Sequence, residues 1–483
     1  MRVKDLIDVL PASTFTYQGD LDLEFRGLVL DPPKRKTRGR FLYPRDASWP
    51  QVPEEAPLSS RQKTERTIQR ALNYGISGII CSSELRGAPY LEGKNVFFSD
   101  DTFALTCRIV SAIRASLDTQ RITAITGSAG KTTTKAMLLH ALRAIGEESI
   151  ATNPGNLNLQ RMALRRLSLS PQFSHSVLEI SSSALMAFRK SGFTISPDVG
   201  IITSIAEAHL EHMESLENVA RIKSDVFQAP PAGGTAIINA DAPHADVLIQ
   251  RAVSEGCQLV TYGESENATI RLASWDPETH NTVAMVGQQP IEYRLGPAGK
   301  HTALNSLAVI AALRAHRLKS WRQGVAALAS FEALEGRGQT AHIRLDTGAQ
   351  ITLIDEAYNA NTASVRSSLA SLSAMASDGS KRRVAVLGDI LELGPQADQI
   401  HRDLADAVLA AELDHIYLFG THMAALYEEL KGRTDSVQHW PDLPSLGDGL
   451  PGLLRSGDIV LMKASGSTGL KDWVAELIAA STS

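Results

Sequence analysis

The segment Arg121–Gly146, RITAITGSAGKTTTKAMLLHALRAIG, leaves few choices to the chain around it. RITAIT has strand character, and AMLLHALRAIG carries helical spacing closed by a glycine. A loop of this kind, after a strand and opening a helix, turns successive backbone N–H groups and the helix N-terminus toward one point, which favours anionic oxygen. Lys131 is placed to neutralise a β- or γ-phosphate, and the hydroxyl of Thr132 can ligate Mg²⁺. Gly127, Ser128, Ala129, Gly130 and Thr133 complete the loop. Its spacing is unusual. The common phosphate loop, G-x-x-x-x-G-K-[ST], requires a glycine where Ile125 stands, so this chain has the shorter G-x-x-G-K-T. A plain glycine turn with a helix cap would need neither the lysine nor the threonine run behind it.

The rest of the chain repeats the same strand-then-helix grammar. HSVLEIS, DVGIITSI and GTAIINAD each precede a helical stretch, which implies a mostly parallel sheet covered on both faces. TIRLAS, NTVAMVG and QPIEYRL read as a short antiparallel appendage. With 483 residues the chain exceeds a single core. The expected fold class is therefore α/β in three domains: a small N-terminal α/β unit over 1–117, a central ATPase-like domain over 118–334 and a Rossmann-like α/β domain over 335–483. LEGRGQ marks the second joint, and the Pro- and Ser-rich segment 46–64 reads as an irregular surface insertion. A net charge of −5 without long Lys/Arg runs argues against nucleic acid. The cysteines Cys81, Cys107 and Cys257 form no C-x-x-C pair, and no window approaches the ~20 apolar residues of a membrane span. MRVKDLIDVLP breaks into charge too early for a signal peptide. A cytoplasmic, monomeric protein acting on small molecules is expected.

The short loop TGSAGKTT resembles the phosphate loop of the Mur ligase superfamily, ATP-dependent enzymes that form amide bonds, and TGSAGKTTTKAML is most similar to its MurF branch. NPGNLN, LEISSSAL (closer to the MurE branch, with Ser183 where histidine is usual), AHLEHMESLENVARIKSDVF, IINADAP, KHTALN, EGRGQ, DEAYNAN and LGDILELG follow in the family's order. The resemblance implies ATP and Mg²⁺ as cofactors and an acyl-phosphate route, in which ATP phosphorylates a carboxylate that an amine then attacks. It implies metal binding by Thr132, Glu179 and His209, supported by a carbamylated Lys223; a bare lysine beside a metal is otherwise out of place. Asn305, and His301 before it, resemble the adenine-reading pair, with Thr302 replacing the usual first asparagine. Arg337 and Asp355 would meet ATP phosphates and ribose as the third domain closes, and Lys131, Glu179, His209, Lys223 and Arg337 would form the catalytic set. Asn156, Asn158, Asn359, Asn361 and Lys463 are the implied substrate contacts. His212 reads as a surface histidine, and Asn239 and Asp241 as strand-end residues suited either to a ligand or to a turn.

Both ends depart from the family pattern. The N-terminal D-S-R has become Asp31-Pro32-Pro33, and prolines lack a side-chain donor and their own N–H. KASGSTGLKD carries Gly466 and Leu470 where an arginine and a methionine are usual. These changes lead to an expected ATP-dependent carboxylate–amine ligase joining an amino acid or small amine to a non-standard acid in a dedicated pathway. The alternatives are a divergent peptidoglycan-precursor ligase adding D-Ala-D-Ala to UDP-muramoyl tripeptide, and an ATP-binding scaffold without ligase activity.

Overall fold

The computed structural model describes residues 1–29, 37–44, 61–116, 120–151, 173–191, 195–207, 213, 215–375 and 381–481. Three sheets organise them. In the first, β1 (Thr16–Gln18), β5 (Val96–Ser99), β4 (Ile76–Ser82), β3 (Thr37–Leu42) and β2 (Gly27–Val29) lie side by side in that order. Only the β1–β5 pair is antiparallel. The helix Arg61–Asn73 takes the last residues of the segment expected to be irregular, because Thr64, Ile68 and Ala71 fall on one face and bury against this sheet.

The second sheet has the order β14-β13-β12-β11-β10-β9-β6-β8-β7. Its strands are β6 (Arg121–Thr126), β7 (Ser149–Ala151), β8 (His175–Glu179), β9 (Val199–Ile202), β10 (Thr235–Asn239), β11 (Gln258–Gly263), β12 (Ile270–Trp275), β13 (Asn281–Val286) and β14 (Gln289–Arg294). From β7 to β12 the pairing is parallel, and β12–β13–β14 form the antiparallel appendage expected from the sequence. β6 alternates cleanly. Ile122 and Ala124 face a core shared with the helix Thr102–Ala115 and the first sheet, while Ile125 faces the helices Lys131–Ala144 and Lys300–Ala315. Asp198 locks this junction, accepting from Arg114 Nη2 at 2.9 Å and from the Ile122 N–H at 2.7 Å.

The third sheet, β15-β16-β20-β17-β18-β19, comprises β15 (Gln339–Arg344), β16 (Gln350–Asp355), β17 (Arg383–Gly388), β18 (His415–Phe419), β19 (Val437–Trp440) and β20 (Ile459–Lys463), with β15 alone antiparallel. Apolar cores cover both of its faces. The registers Asp355↔Met462 and Leu387↔Lys463 bring the carboxyl ends of β16, β20 and β17 together. β6 likewise lies between β8 and β9, so its carboxyl end opens at a crossover point of the central sheet, where open α/β sheets form their crevices. No helix among the described residues is long and apolar enough to cross a membrane.

Candidate active site

The carboxyl ends of the second and third sheets enclose a cleft of about 670 Å³. The phosphate-loop residues Ser128, Ala129, Gly130, Lys131 and Thr133 form one wall, together with Glu179 and Asn305. The opposite wall carries Arg337, Glu356, Asn359, Asn361 and Lys463.

The loop is fixed before any ligand is considered. Gly127 has φ +148°, and a Cβ there would fall 1.9 Å from Thr203 Oγ1, so only glycine fits. The Ser128 N–H donates to Ser204 O at 2.9 Å, the Ala129 N–H to Ser204 Oγ at 2.8 Å, and Thr203 Oγ1 to Ala129 O at 2.5 Å. Gly130, at φ +81°, then starts the helix Lys131–Ala144. Lys131 Nζ donates back to Gly127 O at 2.8 Å, which folds its ammonium over the loop.

Behind the loop lies a buried charge cluster. Thr132 Oγ1 donates to Glu179 Oε1 at 2.9 Å, and Lys135 Nζ donates to Glu179 Oε2 at 2.6 Å. Burial pushes the Glu179 carboxyl up, but the ammonium groups of Lys135 and Lys131, with help from Arg337, outweigh it and hold the carboxyl below the usual range. Lys135 has no signal of its own in the sequence, although it sits one helical turn past Lys131 and is buried. Lys223 is also fully enclosed, with Nζ donating to Ser182 Oγ at 2.8 Å. Burial, reinforced by the nearby charge of Lys131, drives its amine well below the usual lysine range.

On the third domain, Arg337 lies flat over the Tyr358 ring, with Cζ 4.0 Å from the centroid. Lys463 Nζ bonds Glu356 Oε2 at 3.2 Å and Asn359 O at 3.1 Å, and Glu356 Oε1 approaches His301 Nε2 at 3.8 Å. Asn361 caps the helix Thr362–Ser373 through the Ser364 N–H, while its Nδ2 donates to Ser128 O at 3.1 Å. Thr362 Oγ1 also donates to Glu207 Oε2, so this helix start is tied directly to the phosphate-loop side.

Other sequence candidates are engaged by partners within the fold. Asp355 does not line the cleft; its carboxylate accepts from the Gly336 N–H at 2.9 Å and the Ala357 N–H at 3.0 Å, holding the joint between domains. Thr302 Oγ1 donates to Ala298 O within its own helix start. Asn239 borders the cleft with Nδ2 donating to Thr203 O, whereas Asp241 accepts the N–H groups of Glu264 and Ser265 as a turn cap. Asn156, Asn158, His209, His212 and Asp31-Pro32-Pro33 lie outside the described residues.

Comparison with known proteins agrees with this geometry. Residues 125–313 match the Mur ligase middle domain, and residues 336–466 match the Mur ligase glutamate ligase domain. The UDP-N-acetylmuramoyl-tripeptide–D-alanyl-D-alanine ligase of Bacillus subtilis is 27% identical over 417 residues, covering 85% of this chain and 87% of the relative. The enzyme of the same name from Synechocystis is 29% identical over 419 residues, covering 85% and 86%. The fold matches a crystal structure of MurF from Acinetobacter baumannii at a TM-score of 0.77, with 21% identity over 99% of this chain and 98% of that one. It also matches MurF ligase from Thermotoga maritima in complex with ADP at 0.73, with 19% identity over 95% and 98%. With the short phosphate loop, the buried carboxylate behind it and an arginine facing them across one cleft, the chain belongs to the Mur ligase family of ATP-dependent amide-bond-forming ligases.

Proposed function

We propose that this chain joins D-alanyl-D-alanine to a UDP-muramoyl tripeptide, using ATP to activate the peptide carboxylate. The carrying observation is the cleft itself, which sets Lys131 and Glu179 on one wall against Arg337 and Lys463 on the other. The relatives matched over most of their length are named as ligases of this reaction, which favours it over the non-standard acid expected from the sequence. Among the departures behind that expectation, Gly466 has a local cause: a Cβ there would lie 2.9 Å from Tyr358 O, while its N–H donates to Asn359 Oδ1; Pro32 and Pro33 lie outside the described residues.

In this reading the loop N–H groups and Lys131 receive the nucleotide phosphates, and Arg337 meets the transferred phosphoryl group from the third domain. The phosphoryl moves to the substrate carboxylate, the amine attacks the resulting acyl phosphate, and inorganic phosphate leaves as the amide forms. The third-domain wall receives the amine. Thr132 Oγ1 and Glu179 are adjacent hard oxygen donors that would hold Mg²⁺, with Glu179 Oε2 remaining paired to Lys135. Bound there, the ion would neutralise charge on the phosphates. Lys223 fits a carbamate: its amine is buried beside Ser182 and its ammonium form is disfavoured by that burial, and the neutral amine can add carbon dioxide with loss of a proton and become an acceptor group.

The test supplies the purified chain with ATP, Mg²⁺, UDP-muramoyl tripeptide and D-alanyl-D-alanine, and follows phosphate release and product mass. ATP-dependent formation of the pentapeptide product is expected. Absence of product, with turnover of another acid–amine pair, would return the reading to a non-standard ligase.

A further inference from the structure

The motif LGDILELG contributes Ile390, Leu391 and Glu392 to the third-domain wall of the cleft, yet none of the chemistry above uses it. Its conformation is tightly determined. Glu392 is a non-glycine residue at φ +63°, a conformation that persists only where surrounding structure enforces it. The enforcing contacts come from three directions. Leu391 N–H donates to Ser465 Oγ at 2.9 Å, and Ser465 N–H donates to Asp389 O at 3.1 Å. The Asp389 carboxylate accepts from the His422 and Met423 N–H groups, at 3.0 and 2.8 Å, at the start of the helix Met423–Leu430.

The third contact is His401, whose ring is wholly buried. Its Nε2 lies 3.0 Å from the Ile390 N, and its Nδ1 lies 2.6 Å from Ala397 O. A backbone N–H can only donate, so Nε2 must be the acceptor and the proton resides on Nδ1, directed at the Ala397 carbonyl. One imidazole thus joins the two ends of segment 390–397 across its neck. The ring also stacks on His422 at 5.6 Å, and His422 Nδ1 is held by Asp398 at 2.8 Å.

We infer that His401 is a positioning residue for the amine substrate: by clasping the neck of segment 390–397 it fixes the Ile390–Glu392 stretch of the cleft wall against which that substrate is placed. The inference rests on the reading of the third-domain wall as the amine's side. The neck closed by a neutral imidazole needs an acceptor and a donor at fixed separation. Glutamine can supply both; phenylalanine keeps the ring and the stack but supplies neither.

The test compares the full chain with His401→Phe, His401→Gln and His401→Ala. Amide hydrogen exchange, read without substrates, is expected to rise about tenfold in segment 388–394 of His401→Phe, and to stay unchanged in 127–133. With turnover substrates, the KM for D-alanyl-D-alanine should rise about tenfold, while the KM values for ATP and UDP-muramoyl tripeptide stay within about twofold. His401→Gln should recover most of both effects. Unchanged exchange in His401→Phe would overturn the clasp, and an equal rise in all three KM values would overturn its link to the amine. If the wild-type chain turns over none of these substrates, the proposed reaction falls, while the exchange measurement still decides the clasp. His401→Phe preserves ring volume, so a folding failure of His401→Ala does not obscure the result.

Discussion

Replacing Lys135 by methionine removes the ammonium that Glu179 Oε2 holds at 2.6 Å while keeping most of the buried stem. Both side chains are almost completely enclosed, at 4% and 1% exposure, so water cannot substitute for the missing charge. Stripping one partner from a buried ion pair costs about 3–5 kcal/mol, because the other charge stays desolvated. Here Thr132 Oγ1 still bonds Oε1, and Lys131 and Arg337 still bear on the carboxylate, so the loss should fall near the lower bound, about 3 kcal/mol. Glu179→Gln strands Lys135 in the same way. The double variant Lys135→Met/Glu179→Gln removes both charges and should be less destabilised than the two single losses added together, by about 2 kcal/mol. Urea unfolding of the four proteins at pH 7 measures the cycle. Additivity within about 0.5 kcal/mol would refute the claim that these groups act as a pair. The acid side gives a second reading. The Glu179 carboxyl is depressed in the folded chain, so its contribution is present above the ordinary carboxylate range and is lost as pH falls through the folded value. In Lys135→Met, burial is opposed by fewer cations, and this loss on acidification should shrink.

Other consequences are as direct. Gly127→Ala forces a Cβ into Thr203 at φ +148°, whereas Gly146→Ala at φ +80° meets nothing within 4 Å. Both pay for the backbone, about 1–2 kcal/mol, but only Gly127→Ala should also lose ATP binding, by at least about tenfold in titration; equal ATP affinity in the two would contradict the rigid-loop account. Asn361→Asp keeps the oxygen that caps the Ser364 N–H but cannot donate to Ser128 O, so thermal stability should hold while the KM for ATP rises about threefold to tenfold. Asn361→Ala should lose the cap as well, about 1 kcal/mol by urea unfolding. Lys223→Ala should lower kcat more than about a hundredfold, with partial recovery on adding short carboxylates; full unaided activity would exclude a carbamate at that position.

The parts legible in the sequence were those governed by local pattern. The strand–loop–helix at 121–144 and the antiparallel appendage both follow from neighbours in the chain. What escaped depends on partners far away. Nothing near Lys135 announces that Glu179, 44 residues on, ends a strand beside it. Asn361 enters the sequence analysis as an implied substrate contact, and only the packing of two domains shows its hydrogen bond to a carbonyl 233 residues away. At Asp355 the same holds in part: its carboxylate accepts the Ala357 N–H two residues on, but also the Gly336 N–H of the domain joint, 19 residues earlier. The short strands β1, β15 and β19 pair at sheet edges, and β11 sits within the central sheet; single-chain periodicity carries little signal for strands whose burial is partial.

The stack of Arg337 on Tyr358 bears on the entropy of the cleft. A free arginine samples many rotamers, and fixing them costs up to about 2 kcal/mol of side-chain entropy. Tyr358 belongs to the same domain as Arg337, and its ring restricts the guanidinium from one face whether or not a substrate is bound. That entropy is surrendered once, when the third domain folds, instead of at each catalytic cycle. In the proposed reaction the arginine is therefore already aimed, and less of the nucleotide's binding energy is spent on ordering it.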